Sequence, residues 1–366
     1  MTVSPISKQA FTTMFWRRLI VGTGLALFFA WLAMRPQPGA DDRLVKRDFL
    51  AMGTLFSVSI YRDEEQPAAD AEAQISAVER MLHDYEHRWT VDGDGELGRI
   101  NAALAAGETA DVPRPMRTLF ERAARITELS QGRFDVRVGA LVRLWGFDDE
   151  TRFRTAPPEA AAIERTVAAL AAAPKLDAPF ERYGPADGVL LDFGAIAKGD
   201  ATDLTVQHLR EAGYGNVIVN AGGNLRASGR RGDRAWRIGI RHPRPDASHR
   251  LLATLDIQGD EAVITSGDYE RYFEYDGRRY HHLLDPHSGQ PARGLQAVTV
   301  VADNGALADA ASTALFVAGP GHWREQATAL GLDKVLVVED SGRIVVTAAL
   351  SGRLQLADGV IAETVP

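Results

Sequence analysis

The chain has 366 residues, of which 45% are hydrophobic and 25% charged, so its composition is that of a folded protein with a substantial core. Its formal net charge of −8 leaves no basic surplus for a phosphate backbone, which argues against nucleic acid as a partner. Cysteine is absent, which excludes disulfides, thiolate nucleophiles, cysteine-bound zinc and iron–sulfur clusters. Any metal ion must therefore bind oxygen or imidazole ligands, and such ligands favour Mg²⁺-type chemistry.

The first 40 residues have the pattern of a targeting segment. Arg17 and Arg18 precede an uncharged, mostly apolar run of 16 residues from 19 to 34, and a stretch with Pro and Gly follows. The run suits the core of a signal peptide and is slightly shorter than a membrane span of roughly 20 residues. We expect a cleaved signal peptide or a retained inner-membrane anchor with a Pro-rich linker. In both cases the body, residues 41–366, is expected on the periplasmic side of the membrane.

The N-terminal half of the body predicts one strand, three helices and a loop. Residues 49–61 alternate like a strand, and residues 68–89 repeat apolar positions with the period of a helix. Residues 91–98 are rich in Gly and Asp and predict a loop. Residues 113–130 predict a helix that opens with prolines. The alanine-rich residues 156–173 predict a solvent-facing helix without chemistry.

The C-terminal half alternates short strands with helices. Residues 189–193 predict a buried strand, 194–198 a tight loop and 199–213 a helix. Asp276-Gly277 predicts the turn of a hairpin between 272–275 and 279–284. The remaining predictions are strands at 216–220, 297–302, 333–338 and 344–348 and a buried helix at 307–317. Because helices are mixed with antiparallel strands, the predicted fold class is α+β.

The segment from Asp192 to Gly199 is the first candidate for chemistry. A carboxylate at a strand end, a turn with glycine and the start of a helix with Lys198 follow one another. Free N–H groups at a helix N-terminus and a nearby lysine attract phosphate. The segment matches neither a Walker loop nor a Rossmann fingerprint. Taken alone, it fits a simple helix cap with a surface lysine slightly better.

Two further segments carry glycine or histidine. The paired glycines of the sequence NAGGN, residues 220–224, let a ligand approach the backbone, although an ordinary turn explains them as well. His281 and His282 are neighbours on a predicted strand, so only one of them can face a given site. A histidine near a carboxylate such as Asp285 can deprotonate a hydroxyl. A single histidine in a strand is more often structural.

Asp309 and Thr313 are four residues apart and therefore share one face of the predicted helix. A carboxylate and a hydroxyl on an otherwise apolar helix suit a hard cation such as Mg²⁺. The same spacing also fits Asp309 as a helix N-cap and Thr313 hydrogen-bonded back to its own helix. The residues alone leave both readings open.

Together these segments resemble the ApbE family of flavin transferases, from about residue 49 to the C-terminus. Five motifs carry the resemblance: DFGAIAKG at 192–199, VNAGGN at 219–224, SGDYERYF at 266–273, HHLLDPHSGQP at 281–291 and ADAASTALFV at 308–317. AMGT at 51–54 and GRFDVRVGALVRLWGF at 132–147 support it. The resemblance implies one T-fold-related domain of mixed, largely antiparallel sheets with packed helices, over residues 41–366.

The resemblance implies an FAD:protein FMN transferase. Such an enzyme uses Mg²⁺, cleaves the pyrophosphate of FAD, attaches FMN through a phosphoester to a Thr or Ser of a partner protein, and releases AMP. The acceptor is expected to be an exported or membrane-associated redox flavoprotein with a short Ser/Thr-Gly-Ala-Ser/Thr motif. With water as the nucleophile, the same site would hydrolyse FAD to FMN and AMP. A non-catalytic FAD-binding protein is the third alternative.

The resemblance also implies roles for individual residues. Asp309, Thr313 and the backbone carbonyl of Ala195 are expected to bind Mg²⁺, with Ala195 in place of a frequent Gly. The expected FAD contacts are Met52, Trp89 (where Tyr is commoner), Arg133, Phe134, Asp135, Asp192, Lys198 and Leu284. His282 is expected to activate the acceptor hydroxyl, and Asp285 is the carboxylate predicted to assist it.

Overall fold

The computed structural model describes residues 42–149, 154–244 and 250–366. The predicted targeting segment lies outside the described residues and stays a prediction. Within these three ranges, no helix combines the length and the apolar character that a membrane crossing requires.

The described residues form strands and helices along the whole body. The strands are β1 (Leu44–Ala51), β2 (Thr54–Tyr61), β3 (Ala110–Asp111), β4 (Arg182–Tyr183), β5 (Val217–Ala221), β6 (Asn224–Ser228), β7 (Arg237–Arg241), β8 (Leu251–Asp256), β9 (Glu261–Gly267), β10 (Tyr272–Tyr275), β11 (Arg278–His281), β12 (Leu295–Ala302), β13 (Val335–Glu339), β14 (Ile344–Thr347), β15 (Leu354–Leu356) and β16 (Glu363–Val365). The helices are α1 (Ala68–Trp89), α2 (Glu96–Ala105), α3 (Arg114–Leu129), α4 (Gly139–Trp145), α5 (Ala160–Ala172), α6 (Gly194–Glu211), α7 (Gly305–Ala318), α8 (Trp323–Ala329) and α9 (Ala348–Ser351).

A nine-stranded sheet organises the fold, with the strand order β1-β2-β5-β6-β9-β12-β13-β14-β16. Its neighbours are antiparallel except β14 and β16, which run parallel. Helices α6 and α7 pack against each other and against this sheet. A second hydrophobic core lies against the nine-stranded sheet, and the three-stranded sheet β15-β8-β7 contributes residues to it. Since both faces of the sheet are covered, every residue of the central strand β12 is buried. The α+β prediction is confirmed.

Several predicted elements are confirmed closely. The amphipathic helix at 68–89 is α1, whose apolar stripe is buried. The helix at 113–130 is α3, and the alanine-rich helix is α5, of which only Ile163 and Leu170 are buried. The hairpin β10–β11 turns at Asp276 and Gly277, both with positive φ, as its sequence predicts.

Four segments differ from the prediction. Residues 49–61 are not one strand but the hairpin β1–β2, which turns at Met52 and Gly53 with φ of 52° and 67°. The loop predicted at 91–98 ends at Gly95, where α2 begins. Residues 189–193 form no strand: Leu190 makes one isolated bridge to Val138, because an apolar run predicts burial without deciding the backbone conformation. The loop predicted at 194–198 is the first turn of α6.

Candidate active site

A cavity of about 1190 Å³ opens where the ends of several elements meet. Its volume exceeds the usual range of small-molecule pockets, roughly 300–1,000 Å³, and suits a ligand of dinucleotide size. Its wall includes the β1–β2 turn, the end of α1, the start of α6, the β5–β6 turn, β7, β9 and α7. Twelve of the thirteen site residues predicted from the sequence lie in this wall: Met52, Trp89, Arg133, Phe134, Asp135, Asp192, Ala195, Lys198, His282, Leu284, Asp309 and Thr313.

The close approach of α6 and α7 places the predicted metal ligands together. A Cβ atom on Gly199 would lie 2.2 Å from the carbonyl oxygen of Gly305, so the two helices can touch only because both positions are glycine. At this contact the N–H of Gly199 donates to Asp309 Oδ2 at 2.9 Å. That N–H is the usual helical partner of the Ala195 carbonyl, so Asp309 competes with Ala195 for it. The positions of the Asp309 carboxylate and of the Ala195 carbonyl therefore depend on the same N–H group.

Asp309 is a buried carboxylate whose surroundings favour a bound cation. Burial raises the pKa of Asp309, and the positive charge of Lys198 opposes that rise. The side-chain amide of Asn224 also lowers the pKa of Asp309, yet its buried Nδ2 makes no hydrogen bond of normal geometry. A divalent cation would stabilise the ionised form of Asp309.

The hydroxyl groups around Thr313 form a chain with one consistent proton order. Ser312 Oγ donates to the carbonyl of Asp309 at 2.8 Å, so it must accept from Ser266 Oγ at 2.7 Å. Ser266 has then used its only proton and can only accept from Thr313 Oγ1, at 3.4 Å. The lone pairs of Thr313 therefore remain for the cavity.

The start of α7 decides whether Asp309 can be the N-cap of that helix. Helix α7 begins at Gly305 and its N-cap is Asn304, whose Oδ1 accepts from the N–H of Leu307 at 2.7 Å. Asp309 lies inside the helix, so the N-cap alternative is wrong. In the described part of the chain, no cluster of three or more His, Asp or Glu side chains is arranged for a metal. The remaining donors are one carboxylate, one hydroxyl and one main-chain carbonyl, which are the hard oxygen ligands that Mg²⁺ takes.

Another part of the cavity wall is aromatic. Trp89 packs against Phe193 with ring centroids 4.6 Å apart, and Phe193 packs against Phe120 at 4.8 Å. The buried Nε1 of Trp89 has no hydrogen-bond partner within the described chain. Met52 reaches the wall through the strained turn of the β1–β2 hairpin. An unpaired indole N–H beside packed aromatic rings suits a planar ligand with acceptor atoms.

All three residues of the predicted triplet 133–135 line the cavity, but their side chains differ in their other contacts. Arg133 Nη1 donates to Gln326 Oε1 at 3.1 Å and forms no ion pair with a described residue. Asp135 instead forms a buried, bidentate ion pair with Arg137, with a shortest distance of 2.6 Å. Phe134 is buried in the main core. Asp192 Oδ1 accepts from the N–H of Gly194 at 2.7 Å and so starts α6.

The structure separates the two neighbouring histidines. His281 Nε2 bonds the carbonyl of Ala292 at 2.9 Å, and burial lowers the pKa of His281 to about 4. His282 lies in the cavity wall, and its Nδ1 is 3.3 Å from the carbonyl of Arg271. Because a carbonyl only accepts, Nδ1 carries the proton and Nε2 keeps its lone pair. Burial, followed by the charge of Arg271, places the pKa of His282 well below its usual value, so the ring is neutral.

Asp285 is the predicted residue that the structure does not bring into the wall. Its carboxylate accepts from Ser288 Oγ at 2.7 Å and from the N–H of His287 at 3.0 Å. These bonds hold the turn after Leu284, and no hydrogen bond joins the Asp285 carboxylate to His282 within the described residues. Conversely, sequence reasoning gave no role to Asn224, Ser266 or Arg271, which line the cavity within two of the motifs.

Comparison with known proteins shows the family of this chain. The model of the ApbE family matches residues 52–336. The chain is 37% identical over 355 residues to an FAD:protein FMN transferase of Rhodobacter capsulatus, covering 94% of this chain and 65% of that protein. It is 33% identical to an FAD:protein FMN transferase of Treponema pallidum, covering 87% of this chain and 91% of that one.

Solved structures give the same result. The crystal structure of an ApbE protein from Thermotoga maritima matches with a TM-score of 0.73 and 29% identity, covering 85% of this chain and 99% of that one. The flavin transferase ApbE from Vibrio cholerae matches with a TM-score of 0.73 and 26% identity over the same shares. The chain belongs to the ApbE family.

Proposed function

We propose that this chain transfers the FMN half of FAD to a hydroxyl group of a partner protein and releases AMP. The observation that carries the proposal is the charge pattern of the cavity. Arg133, Lys198 and Arg271 line it, and none of the three forms an ion pair with an acidic side chain in the described ranges. Unpaired cations beside an aromatic wall fit a ligand that combines a flavin with a pyrophosphate.

The residues of this chain divide the chemical work. His282 Nε2 is a neutral acceptor and takes the proton of the acceptor hydroxyl. The hydroxyl oxygen then bonds to the phosphorus on the FMN side, the bond from that phosphorus to the bridging oxygen breaks, and AMP leaves. Lys198 offsets the charge of the pyrophosphate. Asp309, Thr313 and the carbonyl of Ala195 would hold Mg²⁺, which supplies charge stabilisation to the phosphates when bound.

The finer parts of the proposal rest on the family resemblance and on the N-terminal sequence. The acceptor is a Thr or Ser in a Ser/Thr-Gly-Ala-Ser/Thr segment of an exported or membrane-associated redox flavoprotein. The apolar run from 19 to 34, behind Arg17 and Arg18, supports export to the periplasm or anchoring in the inner membrane.

The test incubates the full chain with FAD, Mg²⁺ and an acceptor peptide that contains a single Thr in this motif. A mass increase of the peptide equal to FMN minus water, with release of AMP in equal amount and loss of both on adding EDTA, is expected. Free FMN and AMP with an unmodified peptide, across several acceptor sequences, would identify a hydrolase instead. Bound but uncleaved FAD would identify a carrier.

A further inference from the structure

Arg271 lies at the junction between the cavity and His282. It stands immediately before β10 and is half-buried in the cavity wall. Its Nη1 donates to the carbonyl of Phe147 at 2.9 Å, which fixes the side chain. Its own carbonyl accepts from the backbone N–H of His282 at 3.0 Å and faces His282 Nδ1 at 3.3 Å. One residue thus orients the histidine ring and holds a cation beside it.

The charge of Arg271 lacks a counterion in the protein. No described acidic side chain lies within ion-pair distance of Arg271, and the hydrogen bond to Phe147 leaves most of its five N–H donors free. A partly desolvated cation held in place without a counterion is costly unless an anion binds there. Arg241 on the same wall differs, because it pairs with Glu270 at 3.3 Å and covers the ring of Tyr269 at 4.5 Å.

The neighbours of Arg271 indicate which phosphate it reaches. Lys198 lines the same cavity, and its charge acts on both His282 and Asp309, so it is near both groups. Arg271 contacts His282 directly and is absent from the charges that act on Asp309. The phosphorus that a hydroxyl attacks must be near the base that takes its proton. In the proposed reaction this is the phosphorus on the FMN side.

We propose that the guanidinium of Arg271 binds the FMN-side phosphate of FAD, while the carbonyl of the same residue holds His282 with Nε2 free to accept a proton. The inference rests on the proposed function. As His282 takes a proton from the acceptor hydroxyl, it becomes a second cation next to Arg271. The phosphate between them offsets both charges, so the base becomes effective when substrate is bound. Without the phosphate, burial and the charge of Arg271 keep the ring of His282 neutral.

The experiment compares FAD, FMN and riboflavin, of which FMN and riboflavin differ only by one phosphate. Binding of FAD, FMN and riboflavin to the full chain is measured by quenching of flavin fluorescence, for the unmodified protein and for Arg271→Gln. The variant is expected to bind FAD and FMN on the order of 10- to 100-fold more weakly, the range for a charged hydrogen bond. Riboflavin binding is expected to change less than about twofold. The matched control is Arg241→Gln, which removes the same charge from the same wall and is expected to leave the FMN-to-riboflavin ratio unchanged.

The ratio of the FMN and riboflavin affinities on one sample is independent of the fraction of folded protein. If Arg271→Gln weakens FMN and riboflavin equally, Arg271 supports the fold and the inference is wrong. If neither affinity changes, Arg271 does not touch the phosphate. Should Arg271→Gln fail to fold, Arg271→Lys keeps a charge and is expected to retain a preference for FMN, whereas equal affinity for both flavins would overturn the inference. Unmodified protein that binds none of the three flavins would contradict the proposed function itself.

Discussion

The contact between Gly199 and Gly305 provides a sharp test of how α6 and α7 build the site. In Gly199→Ala, the new Cβ would lie 2.2 Å from the carbonyl oxygen of Gly305 and 2.7 Å from the Cβ of Asp309. Non-bonded carbon atoms normally lie about 3.5–4.0 Å apart, so the helices must separate by about 1 Å. The first atom encountered is backbone and cannot rotate away. Separation also stretches the 2.9 Å bond from Gly199 N to Asp309.

Two opposing effects decide whether Gly199→Ala raises or lowers the free energy of unfolding. Ala is better than Gly inside a helix by about 1 kcal/mol, whereas overpacking a tight contact costs about 1–3 kcal/mol and a weakened charged hydrogen bond about 1.5–3 kcal/mol. The net effect is a loss of roughly 1.5–5 kcal/mol of unfolding free energy. Because Asp309 moves relative to Ala195, weaker binding of Mn²⁺, used as a calorimetric probe for Mg²⁺, should accompany it.

Urea unfolding and calorimetric Mn²⁺ titration of the full chain measure both effects. Gly215→Ala is the matched control, because a Cβ there meets nothing within 4 Å and its φ lies outside the left-handed region. We expect the control to be neutral or slightly stabilising. If Gly199→Ala keeps the stability and the Mn²⁺ affinity of the unmodified chain, the close helix contact does not exist as described and the argument for the metal site fails.

Three further predictions follow from the same contacts. Asp309→Ala is expected to abolish Mg²⁺-dependent FMN transfer to an acceptor peptide, measured by peptide mass, and full retained activity would remove the metal assignment. Ser266→Ala should lower Mn²⁺ affinity several-fold, as expected for one lost orienting hydrogen bond. It should have no further effect in a Thr313→Val background, because Ser266 acts through that hydroxyl. Thr265→Val, which removes a neighbouring hydroxyl bond, is the control, and an additive double variant would contradict the chain of hydroxyls. The third prediction concerns pH. Because the folded pKa of His281 is about 4, below its unfolded value of about 6.5, the unfolded state binds more protons between these values. Stability should therefore fall by roughly 3 kcal/mol as pH drops through this window. His281→Gln should lose this component of the pH dependence, measured by urea unfolding from pH 7 to 4, and an unchanged slope would show that His281 does not cause it.

Sequence patterns predicted correctly the elements whose signal lies within a few neighbouring residues. The stripe of α1 repeats with helical period, and Asp276-Gly277 accepts positive φ at both turn positions. The turn at Met52 and Gly53 has the same geometry but escaped prediction, because methionine has no preference for the left-handed region. Residues 194–198 were predicted as a loop because they follow a predicted strand end and contain glycine, a poor helix former. The bond from Gly194 N to Asp192 offsets that preference.

The composition of the site was predictable from motifs, but its arrangement was not. Spacing alone put Asp309 and Thr313 on one helical face, and adjacency alone put His281 and His282 on opposite sides. Tertiary packing decides which of the two histidines faces the cavity, because it sets the position of the end of β11 relative to α7. Asp285 was chosen for its proximity in sequence, yet its oxygens hold the local turn.

The sequence by itself determined the fold class, the family resemblance and the chemical character of the ligands, because these depend on residue types and short-range periodicity. Only the tertiary structure decided that Gly199 admits Asp309 to the second turn of α6, and that the carbonyl of Phe147 fixes the side chain of Arg271 in the cavity wall. Each of these relations joins residues or conformations that side-chain packing and long-range hydrogen bonds bring together. Such contacts form only once the sheet and helices have buried their apolar faces, so no local pattern in the chain encodes them.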